Sequence, residues 1–218
     1  MKKELIQRIV SSIVLISLII FCIIKGSIYI NLLILIIFLI SLYEWYNMRK
    51  NNFFFFFGAI YLGYAFYSVY KIIDYSNSYF YFLFIILICV SSDIGGFIIG
   101  KLFKGPKLIK ISPNKTYSGS IGSYIFSLLF TLFFLTNTNY WFNTQFSITT
   151  YTVVLVILGS TVSQIGDLVM SYLKRMSKVK NTGNLIPGHG GILDRIDGMI
   201  FTFPFFYTLL IINEFKLN

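Results

Sequence analysis

Asp167, Ser171, Lys174 and Lys178 follow one another at offsets of four, seven and eleven residues. On a helix over 166–178, turning about 100° per residue, all four fall within about 60° of one another. An acid, a hydroxyl and two amines on one stripe suit a cation at one end and phosphate oxygens at the other. A second acidic pair, Asp194 and Asp197, is spaced three apart and shares a face of the next helix. Between the two lies Ile-Pro-Gly-His-Gly-Gly, residues 186–191. Pro187 stops a helix, and the glycines allow close backbone approach. A glycine loop that offers N–H groups is a natural phosphate cradle. Each feature has a plainer reading: a solvated helix face, an ordinary turn, a packed histidine. Their co-occurrence favours chemistry, because 164–197 holds three of the eight acids and the only histidine of the chain.

The elements that must position these residues are membrane spans. The 218 residues are 56% hydrophobic and only 12% charged, against about 25% charged in soluble proteins. Apolar runs at 9–25, 28–46, 53–72, 79–100, 119–137, 148–166 and 198–214 are each near the length a span needs. The expected fold is therefore all-α, a polytopic integral membrane protein of about seven transmembrane helices. Residues 1–90 form an N-terminal transmembrane region, and 91–218 a catalytic one. Lys25-Gly26-Ser27 is the only break between the first two runs, so they read as a tight helical hairpin. Met-Lys-Lys followed by an apolar run imitates a signal peptide, but no small-residue cleavage site follows, which implies a retained first span. Cys22 and Cys89 lie inside apolar runs and read as small buried hydrophobes, not as a disulfide.

The net charge of +10 sits in short segments between apolar runs. That pattern points to anionic headgroups and phosphorylated substrates and not to nucleic acid. With the N-terminus in the cytoplasm, fifteen bases fall on that side: Lys2, Lys3, Arg8, Arg49, Lys50, Lys101, Lys104, Lys107, Lys110, Lys115, Lys174, Arg175, Lys178, Lys180 and Arg195. Only Lys25, Lys71 and Lys216 fall outside. This asymmetry is what the positive-inside rule demands. It puts both chemical stretches on the cytoplasmic side, where nucleotides are.

The second stretch is 91–120. Asp93 interrupts an apolar run, and an intramembrane acid by default faces a cavity or a partner. Gly95, Gly96 and Gly100 thin one side of that helix for close packing. The following loop carries five lysines and Ser112-Pro113-Asn114-Lys115-Thr116. A lysine loop of this kind also reads as a headgroup anchor.

The run from Gln164 to Gly198 resembles the C-terminal signature of the phosphatidate cytidylyltransferases (CDP-diacylglycerol synthases). The 91–120 stretch is similar to that family's other motif region, and Tyr43-Glu44-Trp45 has a weaker family look. The resemblance implies that CTP and phosphatidic acid give CDP-diacylglycerol and pyrophosphate, in a bacterial inner membrane, on a magnesium-dependent homodimer. It implies metal roles for Asp167 and Asp194, with Asp197 as a further acid for the same or a second cation. It also implies catalytic roles for Ser171 and Lys174. Lys174, Arg175 and Arg195 are then expected on phosphate oxygens, and the loop holding His189, Gly190 and Gly191 along the nucleotide. Ser112 and Lys115 are expected near the lipid phosphate or the nucleotide. Three departures stand out: Asn181 where the family has Asp, Ser118 where it has Glu, and a chain shorter by one or two spans around 50–80. Two other readings compete. One is a catalytically impaired scaffold; the other is a cation transporter using intramembrane Asp residues.

Overall fold

Long apolar runs must satisfy their own backbone polar groups in lipid, and the helix does so within one segment. In the computed structural model these runs become, among the described residues, eight helices and one small hairpin. It describes residues 2–48, 51–76, 79–109, 112–138, 148–186 and 190–212. In chain order they are α1 (Lys2–Lys25), α2 (Ser27–Asn47), α3 (Asn52–Ser76), α4 (Phe80–Phe103), β1 (Lys107–Ile109) and β2 (Ser112–Thr116). Then come α5 (Tyr117–Thr136), α6 (Thr150–Met176), α7 (Leu193–Ile196) and α8 (Met199–Ile211).

Five of these, α2 to α6, are long and apolar enough to cross a membrane. The protein is thus an all-α polytopic membrane protein. The count of seven drawn from the sequence is not reached by that measure. Of the two remaining runs, α1 carries basic residues in its first turns, and α8 has 13 described residues. Among the described residues β1 and β2 form the one strand pair, and Ile186 and Gly190 add an isolated antiparallel bridge.

Two compact units are built, Met1–Tyr70 with Leu173–Asp197, and Lys71–Tyr172 with Gly198–Asn218. In the first, Gly26 at φ 104° makes the break between α1 and α2. The Phe21 ring meets Tyr29 edge-on across it, at 6.3 Å between centroids. Trp45 on α2 stacks on Phe54 of α3 at 4.8 Å and donates its indole N–H to the Phe55 carbonyl. Its ring lies against Gly58, where a Cβ would overlap it.

The second unit packs α4 against α5 through glycines. A Cβ on Gly95 would run into the Gly122 carbonyl and lie 2.6 Å from the Phe126 Cβ. A Cβ on Gly122 would overlap Ile99. This is the close approach that small residues permit when helices associate without a hydrophobic drive. A polar seam joins α4, α5 and α6. The Ser92 and Ser160 hydroxyls meet at 3.0 Å, Ser123 donates to the Ser92 carbonyl at 2.7 Å, and Tyr124 and Thr161 meet at 3.0 Å. Asp93 is outside this seam, on an exposed face of α4. Cys22 and Cys89 are buried free thiols, as the sequence suggests. Substituting Gly95→Val should lower the melting temperature in detergent, by an overpacking cost of about 1–3 kcal/mol. Gly63→Ala on α3, where a Cβ meets nothing within 4 Å, should leave it unchanged or raise it slightly.

Candidate active site

Five of the residues singled out in the sequence, Lys115, Asp167, Lys174, Asp194 and Asp197, fall into two clusters, one in each unit. The first centres on Asp167 of α6. Lys115 Nζ lies 3.0 Å from Asp167 Oδ2, and the Asp167 side chain is only 16% exposed. Its other oxygen, Oδ1, is buried and has no hydrogen-bond partner among the described residues. Gly198 closes this side: a Cβ there would stand 3.1 Å from Oδ1 and overlap Ser163.

Local sequence explains how Lys115 arrives there. Lys104 at φ 49° and Gly105 at φ 100° turn the chain out of α4. The β1–β2 pair, in register Lys107↔Thr116 and Ile109↔Ser112, returns it. Thr116 then caps α5, accepting from Gly119 N–H at 3.1 Å, one of the amides a helix start leaves unpaired. Ser118, where related sequences were expected to carry Glu, donates to the Lys104 carbonyl at 2.9 Å and so ties the two ends of the hairpin.

The second cluster centres on Asp194. Lys174, in the last turn of α6, places Nζ 2.8 Å from Asp194 Oδ1 and 3.5 Å from Asp197 Oδ2. The second oxygen of Asp194 accepts from the N–H groups of Thr182 at 2.9 Å and Gly191 at 3.0 Å. The Asp194 side chain is 5% exposed. Burial alone would raise its pKa. The Lys174 hydrogen bond and charge and the two backbone N–H donors outweigh that and hold it below the ordinary carboxylate value.

Several expectations need adjusting. Lys178 does not share the stripe with Asp167, Ser171 and Lys174. Helix α6 ends at Met176, and Lys178 has φ 57°. Val179 N–H bonds the Lys174 carbonyl and Lys178 N–H the Arg175 carbonyl, both at 3.0 Å. That is the Schellman closure of a helix, with lysine in the left-handed position that glycine usually takes. The amides of Gly190 and Gly191 are also committed inside the protein. Gly190, at φ 91°, exchanges two backbone bonds with Ile186, and Gly191 donates to Asp194. Neither N–H is free for a phosphate as the loop stands.

The other expected residues fall as follows. Ser171 is half-buried on α6. Arg175 is exposed and donates to the Val179 carbonyl at 3.4 Å. Arg195 is exposed on α7. His189 lies outside the described residues, as does the Ser112 side chain. Sequence reasoning gave no role to Glu44 or Thr182. Glu44 is buried on α2 and accepts from Thr182 Oγ1 at 2.8 Å and from the N–H groups of Ile192 and Leu193, both at 2.9 Å. A lone acid in an apolar helix was the available signal.

The apolar helices and the carboxylate–lysine pairs held among them define an all-α polytopic membrane protein with ionised side chains at its helix ends. The chain is a member of the cytidylyltransferase family, whose profile matches residues 50–213. It is 33% identical to the phosphatidate cytidylyltransferase of Rickettsia typhi over 95% of this chain and 92% of that protein. Against the phosphatidate cytidylyltransferase of Bacillus subtilis it is 38% identical over 70% of this chain and 55% of that protein. Its length is therefore close to that of the rickettsial relative and short of that of the Bacillus subtilis one.

The sign of the Asp194 shift gives a test. Its folded pKa lies below the unfolded value of about 3.9, so its network is fully formed above that value. The contribution is lost only as pH falls through the lower, folded value. Amide-exchange protection at Thr182 and Gly191, corrected for intrinsic rate, should stay constant from about pH 8 to pH 5. Loss of protection on descending through that range would show that Asp194 is not held down.

Proposed function

We propose that this enzyme transfers CMP from CTP to phosphatidic acid, giving CDP-diacylglycerol and pyrophosphate for phospholipid synthesis. The observation that carries the reading is the near full-length likeness to phosphatidate cytidylyltransferases, taken with the lysines paired to Asp167 and Asp194 of the 164–198 stretch. Balanced as a reaction, a phosphate oxygen of the lipid forms a bond to the α-phosphorus of CTP. The bond from that phosphorus to the bridging oxygen breaks, and pyrophosphate leaves with the electron pair. The nucleophile is already ionised, so no strong general base is needed. Positioning and charge stabilisation supply most of the rate.

Both substrates are polyanions, and the chain's cations bring them together. Lys174, Arg175 and Arg195 are assigned to phosphate oxygens. Lys115 and Ser112 approach the lipid phosphate or the nucleotide, and His189 lines the nucleotide site. Ser171 lies one turn from Lys174 on the substrate-facing stripe.

The residues present fit a magnesium ion. Asp167 Oδ1 is a buried, unpartnered hard oxygen, and Asp194 and Asp197 already share one cation, the Lys174 ammonium. No group of three or more His, Cys, Asp or Glu converges among the described residues. Magnesium takes one or two carboxylates and completes its shell with water and substrate phosphates. Asp167 and Asp194 are the proposed ligands, with Asp197 as a further acid for the same or a second cation. When bound, the ion neutralises triphosphate charge and orients the α-phosphorus. The same reading puts the site at the cytoplasmic face of a bacterial inner membrane, by the asymmetry of bases, and makes the enzyme a homodimer by family likeness.

Purified protein in mixed micelles should release pyrophosphate from CTP only when phosphatidic acid and magnesium are both present. Release without the lipid, or none with it, would refute the assignment. Asp194→Asn should lower turnover by about 10²–10³-fold, the scale of a lost charge-stabilising group. The protein should stay folded, since Asp197 still pairs with Lys174. Near wild-type turnover would show that Asp194 is no ligand.

A further inference from the structure

Glu44 is an expensive residue where it stands. It is the only acid between Glu4 and Asp74, and it is 3% exposed on an otherwise apolar helix. It also lies one turn from the C-terminal end of α2, where the helix dipole disfavours negative charge. Among the described residues, no cation is bonded to its carboxylate. Its donors are instead the Thr182 hydroxyl and two consecutive amides at the start of α7, Ile192 and Leu193. The next amide back, Gly191 N–H, goes to Asp194. Three successive N–H groups are thus shared between two carboxylates.

Thr182 joins the same two groups. Its hydroxyl donates to Glu44 and its own N–H donates to Asp194. The loop is threaded tightly around the acid. A Cβ on Gly183 would lie 2.8 Å from Glu44 Oε1, and one on Gly191 would overlap both Glu44 Oε2 and Thr182 Oγ1. Two glycines of the signature stretch are therefore required by Glu44, separately from any ligand.

We propose that Glu44 is a positioning residue. Its buried carboxylate fixes Thr182, Ile192 and Leu193, which in turn aim Asp194 for divalent cation. This rests on the metal role proposed above. Groups that orient a metal's ligands typically change affinity or activity by about 10–100-fold when removed. Glutamine keeps the shape of Glu44 but points an NH₂ at one of the two amides, whichever way it turns. One N–H of the pair is then left without an acceptor.

The test uses the full-length protein in detergent with two readouts. Amide exchange without added metal should show Glu44→Gln losing protection at Gly191 and Thr182 as well as at 192 and 193. The magnesium concentration for half-maximal turnover should rise about 10–100-fold, with most of kcat recovered at saturating magnesium. Thr182→Val removes only the hydroxyl link. It should shift the magnesium dependence in the same direction by less, and add little in the double variant. Unchanged protection at Gly191 and Thr182 would overturn the proposal. So would lost protection with an unchanged magnesium dependence, which is what a merely structural buttress gives. If Glu44→Gln does not fold, Thr182→Val decides, and a wild-type magnesium profile for it overturns the idea. A wild-type protein that turns over no substrate defeats the functional reading instead, and the exchange measurement still decides whether Glu44 holds the loop.

Discussion

A carboxylate taken out of water must be given donors, or it will not stay ionised. Much of the catalytic end of this protein follows from meeting that demand three times. Asp167 receives the Lys115 amine. Asp194 receives the Lys174 amine and two amides, and Glu44 receives a hydroxyl and two amides. Thr182, Gly191, Ile192 and Leu193 spend their N–H groups on carboxylates instead of on a helix or sheet ladder. The lysines are held in place by the same bonds.

This view also explains where the glycines fall. Gly95 and Gly122 serve helix packing in one unit. Gly183 and Gly191 make room for a carboxylate in the other, and Gly198 makes room beside Asp167. Glycines that the sequence presents as one motif thus have separate physical causes. The amides of Gly190 and Gly191 face protein acceptors.

The spans and the chemical stripe of α6 were legible because both rest on local periodicity. Asp167, Lys174 and Asp194 could be singled out from spacing and from their setting among apolar runs. Lys178 could not be placed by spacing, since a helix-closing motif three residues earlier turns it away. Two amides of the glycine loop were misjudged because N–H commitment depends on acceptors elsewhere in the loop. Glu44 escaped notice for a different reason. Its partners are 138 to 149 residues away in sequence, and no local pattern reports such a contact. The β1–β2 hairpin was hidden likewise, since five lysines and a proline read as an anchoring loop.

The central claim is that these clusters exist to join a lipid phosphate to the α-phosphorus of a nucleotide. Its most direct test follows labelled phosphorus through one turnover with CTP and phosphatidic acid. Label at the α-position should enter the lipid fraction one for one with released pyrophosphate, while label at the γ-position should remain wholly water-soluble. Label from the γ-position in the lipid, or no α-label there, would contradict the account.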